Sequence, residues 1–185
     1  MWEKLSTKWR KVGNCGKKFI FLNSYSIRMV NLIGTYECKA DAKGRLVLSA
    51  ALKKQLMPVL QEGFVLKRSV FQSCLELYPM AEWNLLMGKV NKLNRFVKKN
   101  NDFIRRFTAG VKIIELDASG RMLIPRDLQL FSGISKEVVL SSAVNIIEVW
   151  DKEKYENTVN DDSVDFADLA EDVMGGVNEF LGDVS

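Results

Sequence analysis

Two pentapeptides hold the residues whose types and spacing point to chemistry: Asp41-Ala42-Lys43-Gly44-Arg45 and Asp117-Ala118-Ser119-Gly120-Arg121. In each, a carboxylate and a guanidinium stand four positions apart around a glycine. Aspartate is favoured at the first position of a type I turn and glycine at the fourth. The carboxylate can also accept backbone N–H groups of its own turn, and glycine supplies a positive φ without steric cost. Such a turn projects its cations from an edge. Arginine forks onto a phosphate or a guanine edge, and lysine acts as a point charge for phosphate. This is the chemistry of recognition, not of bond cleavage. Asp41 and Asp117 have no matched acid or base partner close in sequence and read as turn formers together with Gly44 and Gly120. A purely structural role for Arg45, paired with Asp41 or Glu37, is the competing assignment.

Catalytic and metal-binding classes fall away on composition. The chain has no histidine, which removes Ser-His-Asp and Cys-His catalysis and His-containing zinc sites. Cys15, Cys38 and Cys74 are an odd set without CxxC spacing, so neither a disulfide framework nor a four-cysteine zinc site is expected. A magnesium-dependent nuclease needs converging carboxylates, whereas the acids here are isolated or gathered in the tail. No enzyme activity, metal or cofactor is expected.

The elements that must position the two turns repeat with them. At an offset of 76, Asp41, Gly44, Arg45 and Leu52 match Asp117, Gly120, Arg121 and Leu128. The apolar triplets Leu46-Val47-Leu48 and Met122-Leu123-Ile124 keep step. Downstream, Leu75-Glu76-Leu77-Tyr78-Pro79-Met80-Ala81-Glu82-Trp83 echoes Ile147-Glu148-Val149-Trp150-Asp151-Lys152-Glu153-Lys154-Tyr155 at an offset of 72. Two linked echoes in one order indicate duplication. Each half reads as strand, turn, strand, short helix, two strands, helix. In the first half these are an extended stretch over 32–40, a strand over 46–48, and a helix over 50–57 capped by Ser49. Strands over 64–67 and 74–78 follow, then a helix over 80–97 with Trp83, Leu86, Val90, Leu93 and Val97 on its apolar stripe. A further helix is expected near 101–108. In the second half the final helix is expected over much of 151–181, weakened at Gly175-Gly176.

Charge is unevenly spread over the 185 residues. Residues 1–28 carry +6, residues 29–150 carry +7 and residues 151–185 carry −9. A basic body attracts polyanions, of which nucleic acid is the commonest in a cytoplasm. Lys89, Lys92, Arg95, Lys98, Lys99, Arg105 and Arg106 form a second basic run, read as a solvated helix face, and Lys67-Arg68 is a weaker contact candidate. No apolar run approaches the roughly 18 residues of a membrane span, and Phe19-Ile20-Phe21-Leu22 is too short for a secretory core. A cytoplasmic location is expected.

The paired Asp-x-x-Gly-Arg turns and the Leu-Glu-Leu-Tyr-Pro-x-x-Glu-Trp stretch resemble the MraZ family of bacterial transcription regulators, over about residues 29–181. The resemblance implies an α+β fold, a tandem of AbrB-like swapped-hairpin units forming a β-barrel with packed helices. It implies ring-shaped homo-oligomers that bind direct repeats of duplex DNA in the promoter of the division and cell-wall gene cluster, mostly as a repressor, and hence a nucleoid location. The DNA-contacting residues carried over are Lys43, Arg45 and Arg121. Ser119 stands where the first turn has Lys43, so DNA contact is assigned first to Lys43 and Arg45, with Arg121 more structural. The expected organisation is an N-terminal extension over 1–28, a first repeat over 29–108 and a second over 109–185. Met29-Val30-Asn31-Leu32-Ile33-Gly34 resembles the family's opening, so residues 1–28 read as translation from a misassigned start, the competing reading being a basic arm. The alternative function is a non-enzymatic scaffold or an antitoxin-like protein-binding module.

Overall fold

The computed structural model describes residues 31–181 except Ala118, Asp162 and Val164. The expected N-terminal extension lies outside them. Along the chain follow β1 (Thr35–Lys39), β2 (Arg45–Val47), α1 (Ala50–Leu56), a 3-10 turn (Met57–Glu62), β3 (Phe64–Arg68), β4 (Leu75–Pro79), α2 (Met80–Val90) and α3 (Lys98–Phe107). The same order then recurs as β5 (Lys112–Ile114), β6 (Arg121–Leu123), α4 (Arg126–Ser132), β7 (Glu137–Ala143), β8 (Ile146–Asp151), α5 (Lys152–Val159) and α6 (Phe166–Leu181). The fold is α+β with antiparallel pairing throughout.

Six strands form one sheet in the order β1-β7-β8-β4-β3-β5, and β2 and β6 form a separate two-stranded ribbon. Exchanging β1–β4 for β5–β8 reverses this order onto itself, so the sheet carries the duplication as a pseudo-two-fold axis between β4 and β8. The halves are interleaved: β1 pairs with β7, β3 with β5, β4 with β8 and β2 with β6. Among the described residues β1 and β5 stand at opposite ends of the sheet, so the pairing is open and does not make the expected closed barrel. The three-residue strands β2 and β6 leave the sheet at the Asp-Gly turns and pair with each other, with one further bridge from Leu46 back to Ala40.

Strand alternation sorts the side chains into two layers. Phe64, Leu66, Leu75, Leu77, Val138, Leu140, Ile147 and Val149 point to one side, where Leu46 and Met122 of the ribbon and Leu52, Leu56 and Leu128 of α1 and α4 close the main core. The other face carries Lys67, Tyr78, Cys74, Val139 and Trp150 and is covered by α2, α3 and α5 through Trp83, Phe107 and Tyr155. The ribbon and the basic helix α3 thus lie on opposite sides of the sheet.

Helix boundaries differ from the sequence reading for local reasons. The helix begun at Met80 ends at Val90, where Asn91 takes the C-cap, and Val97 becomes the N-cap residue of α3. The α1 helix ends at Leu56, one residue before the expected end, and a 3-10 turn with Pro58 in its first turn follows from Met57. The single C-terminal helix is two: Asn160 caps α5, and the Asp165 carboxylate accepts from the Ala167 N–H at 2.8 Å to start α6. α6 continues through Gly175-Gly176, so the break falls at the polar cap residues and not at the glycines.

Candidate nucleic-acid interface

Each Asp-x-x-Gly-Arg turn is built in the same way. The Asp41 Oδ1 accepts the N–H groups of Lys43 (2.8 Å) and Arg45 (2.9 Å), while the Gly44 N–H donates to the Asp41 carbonyl at 2.8 Å. Gly44 takes φ +79°, where a side chain is strained. In the second turn, Asp117 Oδ1 accepts from Ser119 (2.8 Å) and Arg121 (2.9 Å), and Gly120 takes φ +75°. Both turns therefore share one aspartate-closed geometry with glycine at the positive-φ position.

The two arginines are also held alike. Arg45 donates its Nε to Asp41 Oδ2 at 2.7 Å, and Arg121 donates its Nε to Asp117 Oδ2 at 2.8 Å. Both side chains are 44% exposed. Backbone and side-chain hydrogen bonds from Arg45 hold the Asp41 carboxyl down at about 2, and the equivalent bonds from Arg121 lower that of Asp117. An aspartate that stays ionised fixes one edge of each guanidinium, which has five donors in all. Glu37, the other partner considered for Arg45, instead pairs with Lys152 at 2.8 Å.

The ribbon brings the turns together. Arg45 lies opposite Leu123, Leu46 opposite Met122, and Val47 opposite Arg121. Leu46 and Met122 point into the core, so Arg45, Val47, Arg121 and Leu123 share the outward face. Arg45 and Arg121 are diagonal neighbours on it, about 7–8 Å apart by ribbon geometry. Val47 and Leu123 stand between them, 53% and 51% exposed. Lys43 is exposed at the first turn and forms no ion pair among the described residues.

Each turn rests against the short helix of the opposite half. A Cβ on Gly44 would meet the Gln129 amide of α4, and a Cβ on Gly120 would lie 3.0 Å from Lys53 Nζ of α1. Gln129 and Lys53 are themselves related by the 76-residue offset, a signal present in the sequence but without meaning until the turns are packed. The weaker candidate Lys67 is not a surface cation: it is buried and paired with Glu76 at 2.7 Å. Lys89, Lys92, Arg95, Lys98, Lys99, Arg105 and Arg106 are exposed. Among the described residues no His, Cys, Asp or Glu cluster could hold a metal ion, and no helix is long and apolar enough to cross a membrane.

Fold and turns together describe a tandem-repeat α+β protein whose repeats share one sheet and meet in a two-stranded ribbon. The family model described as "MraZ protein, putative antitoxin-like" matches the chain twice, over residues 32–106 and 107–175. The chain is 71% identical over 147 residues to the Transcriptional regulator MraZ of Christiangramia forsetii, covering 80% of this chain and 95% of that protein. It is 70% identical over 151 residues to the protein of the same name from Flavobacterium psychrophilum, covering 82% and 96%. With the Transcriptional regulator MraZ of Pediococcus pentosaceus the identity is 33% over 142 residues, covering 77% and 96%. The chain belongs to the MraZ family.

Proposed function

We propose that the chain is a transcriptional regulator that reads duplex DNA with the outward face of its β2–β6 ribbon. The observation that carries this reading is the diagonal placement of Arg45 and Arg121 on that face, each guanidinium steadied by an aspartate. A two-stranded ribbon fits the major groove, about 12 Å wide. The remaining guanidinium donors suit guanine edges, Val47 and Leu123 suit thymine methyl groups, and Lys43 adds phosphate charge. The regulatory role is supported by the names of the relatives. The family resemblance adds repression of its own division and cell-wall gene cluster through direct promoter repeats, in the cytoplasm at the nucleoid. It also adds assembly into a ring of more than four subunits, which turns several weak ribbons into one strong reader. We read the interleaved halves as AbrB-like swapped hairpins over 29–108 and 109–185, with 1–28 as an extension.

Fluorescence anisotropy with the duplex upstream of the chain's own coding sequence, against a scrambled duplex, tests the reading. Arg45→Ala and Arg121→Ala are expected to lose similar affinity, about 1–3 kcal/mol per good base contact, because the two side chains are held alike. Light scattering should show every variant in the wild-type assembly. Wild-type affinity in both variants would sink the ribbon reading. An intact assembly that ignores duplex DNA would favour the scaffold or antitoxin-like alternative, whose support is the exposed apolar face of α6 at Phe166, Leu169 and Val173.

A further inference from the structure

The second turn lacks the lysine of the first, yet a lysine stands on it. Under the 76-residue offset Lys43 corresponds to Ser119, and Lys53 corresponds to Gln129. The interleaved fold crosses these pairs: α1 of the first half packs on the second turn, and α4 of the second half packs on the first. Lys43 and Gln129 therefore belong to one turn, and Ser119 and Lys53 to the other.

The two helix residues behave differently where they sit. Gln129 lies over Gly44 and donates its amide to the Ile124 carbonyl, so it is neutral and satisfied. Lys53 lays its stem across Gly120, with Cδ 3.1 Å and Nζ 3.0 Å from the position a Cβ would take. Among the described residues its ammonium has neither a hydrogen-bond acceptor nor an ion-pair partner. The nearby Asp117 carboxylate is already occupied by the Ser119 and Arg121 N–H groups and by the Arg121 guanidinium. Each turn thus has one carboxylate against two cations, Lys43 with Arg45 at one end of the ribbon and Lys53 with Arg121 at the other.

We propose that Lys53 makes the second turn an anion subsite, holding a nucleic-acid phosphodiester beside Arg121 as Lys43 does beside Arg45. The inference rests on the duplex-binding reading above. It gives the ribbon a phosphate contact at both ends, as a duplex lying along it requires, although only one of the two turn sequences contains a lysine. Phosphate contacts of this kind fix position without reading sequence.

The test is a salt titration of duplex binding by the full-length chain. Lys53→Gln installs the residue found at the equivalent place in the other half. The log–log slope of affinity against salt should become shallower by about 0.9 for each subunit engaged. Binding to cognate and scrambled duplex should weaken by the same factor. Lys53→Gln/Ser119→Lys moves the cation from the helix onto the turn and should restore the slope. Thermal midpoints should stay at the wild-type value in both variants. Normal wild-type binding with an unchanged Lys53→Gln slope overturns the subsite alone, as does a lowered slope that Ser119→Lys fails to restore. A wild-type chain with no salt-dependent duplex binding overturns the proposed function and the subsite together.

Discussion

Lys67 and Glu76 face each other across the β3–β4 pair, Nζ to Oε2 at 2.7 Å, beneath the helices of the second layer. The lysine is only 1% exposed, and its ammonium also lies 4.8 Å from the centre of the Phe107 ring. The Tyr78 hydroxyl donates to the same carboxylate oxygen at 2.7 Å. Removing one member leaves the other as an uncompensated buried charge. Lys67→Ala is expected to cost about 3–5 kcal/mol in urea unfolding, and Lys67→Met/Glu76→Leu distinctly less, because a buried ion pair gains little over apolar packing. A smaller loss in the single variant than in the double would show the pair to be stabilising in its own right.

Acid should unfold the protein partly through the same carboxylate. Burial alone raises the Glu76 carboxyl, but hydrogen bonds from Lys67, Ser69 and Tyr78 outweigh it and leave the group below its ordinary range. A carboxyl lowered in the folded state contributes stability that is present above its unfolded value and is lost as pH falls through its folded value. Urea midpoints should therefore fall from the ordinary carboxylate range downward. Lys67→Met, which removes the cation and its hydrogen bond, should flatten that part of the curve. Asp41 and Asp117 titrate lower too and should keep some acid dependence in the variant.

The two turn glycines should differ in what they tolerate. An alanine at either φ is strained by roughly 1–2 kcal/mol. At Gly44 the new Cβ would also fall 2.6 Å from Gln129 Cδ and push the amide off the Ile124 carbonyl, whereas at Gly120 it meets only the end of a flexible lysine. Gly44→Ala should lower the thermal midpoint more than Gly120→Ala. Gln129→Ala in the Gly44→Ala background should recover part of the difference.

The described cysteines should be poor nucleophiles while the protein is folded. Burial pushes the Cys38 thiol up to about 11. Burial and the nearby Glu148 push Cys74 to about 12. Iodoacetamide at pH 8 followed by peptide mapping should find Cys74 unmodified until denaturant is added, because the reactive species is the thiolate. Rapid native labelling of Cys74 would mean that the layer carrying Trp150 and Tyr155 opens readily.

Local chemistry was legible and long-range pairing was not. Asp41 to Arg45 and Asp117 to Arg121 define their turns within five residues each, and the duplication follows from comparing them. Ser49 reads as an N-cap and accepts from the Leu52 N–H at 3.2 Å. The end of α2 is not legible in this way, because the apolar stripe continues to Val97 while the helix stops at Val90 with Asn91 as its C-cap. The sequence alone could not place Arg45 beside Arg121, since that neighbourhood is created only by the β2–β6 register. Nor could it see that Lys67, one of two adjacent cations, is buried, because Glu76 comes opposite it only through the hairpin.

The mirrored strand order constrains how the chain can be made. β1 emerges from the ribosome early, but among the described residues its one sheet neighbour, β7, lies in the last third of the chain. A nascent first half therefore has β1, β2 and both outer edges of the β3–β4 hairpin unpaired, and ribosomes following on the same message expose the same edges. Such edges are templates for wrong pairing, and two first halves can exchange strands with each other as each would with its own second half. Productive folding waits for synthesis of the second half. Translation that stalls between Phe107 and Lys112 should leave strand-exchanged first halves, held together by the same hydrogen bonds that complete the finished chain.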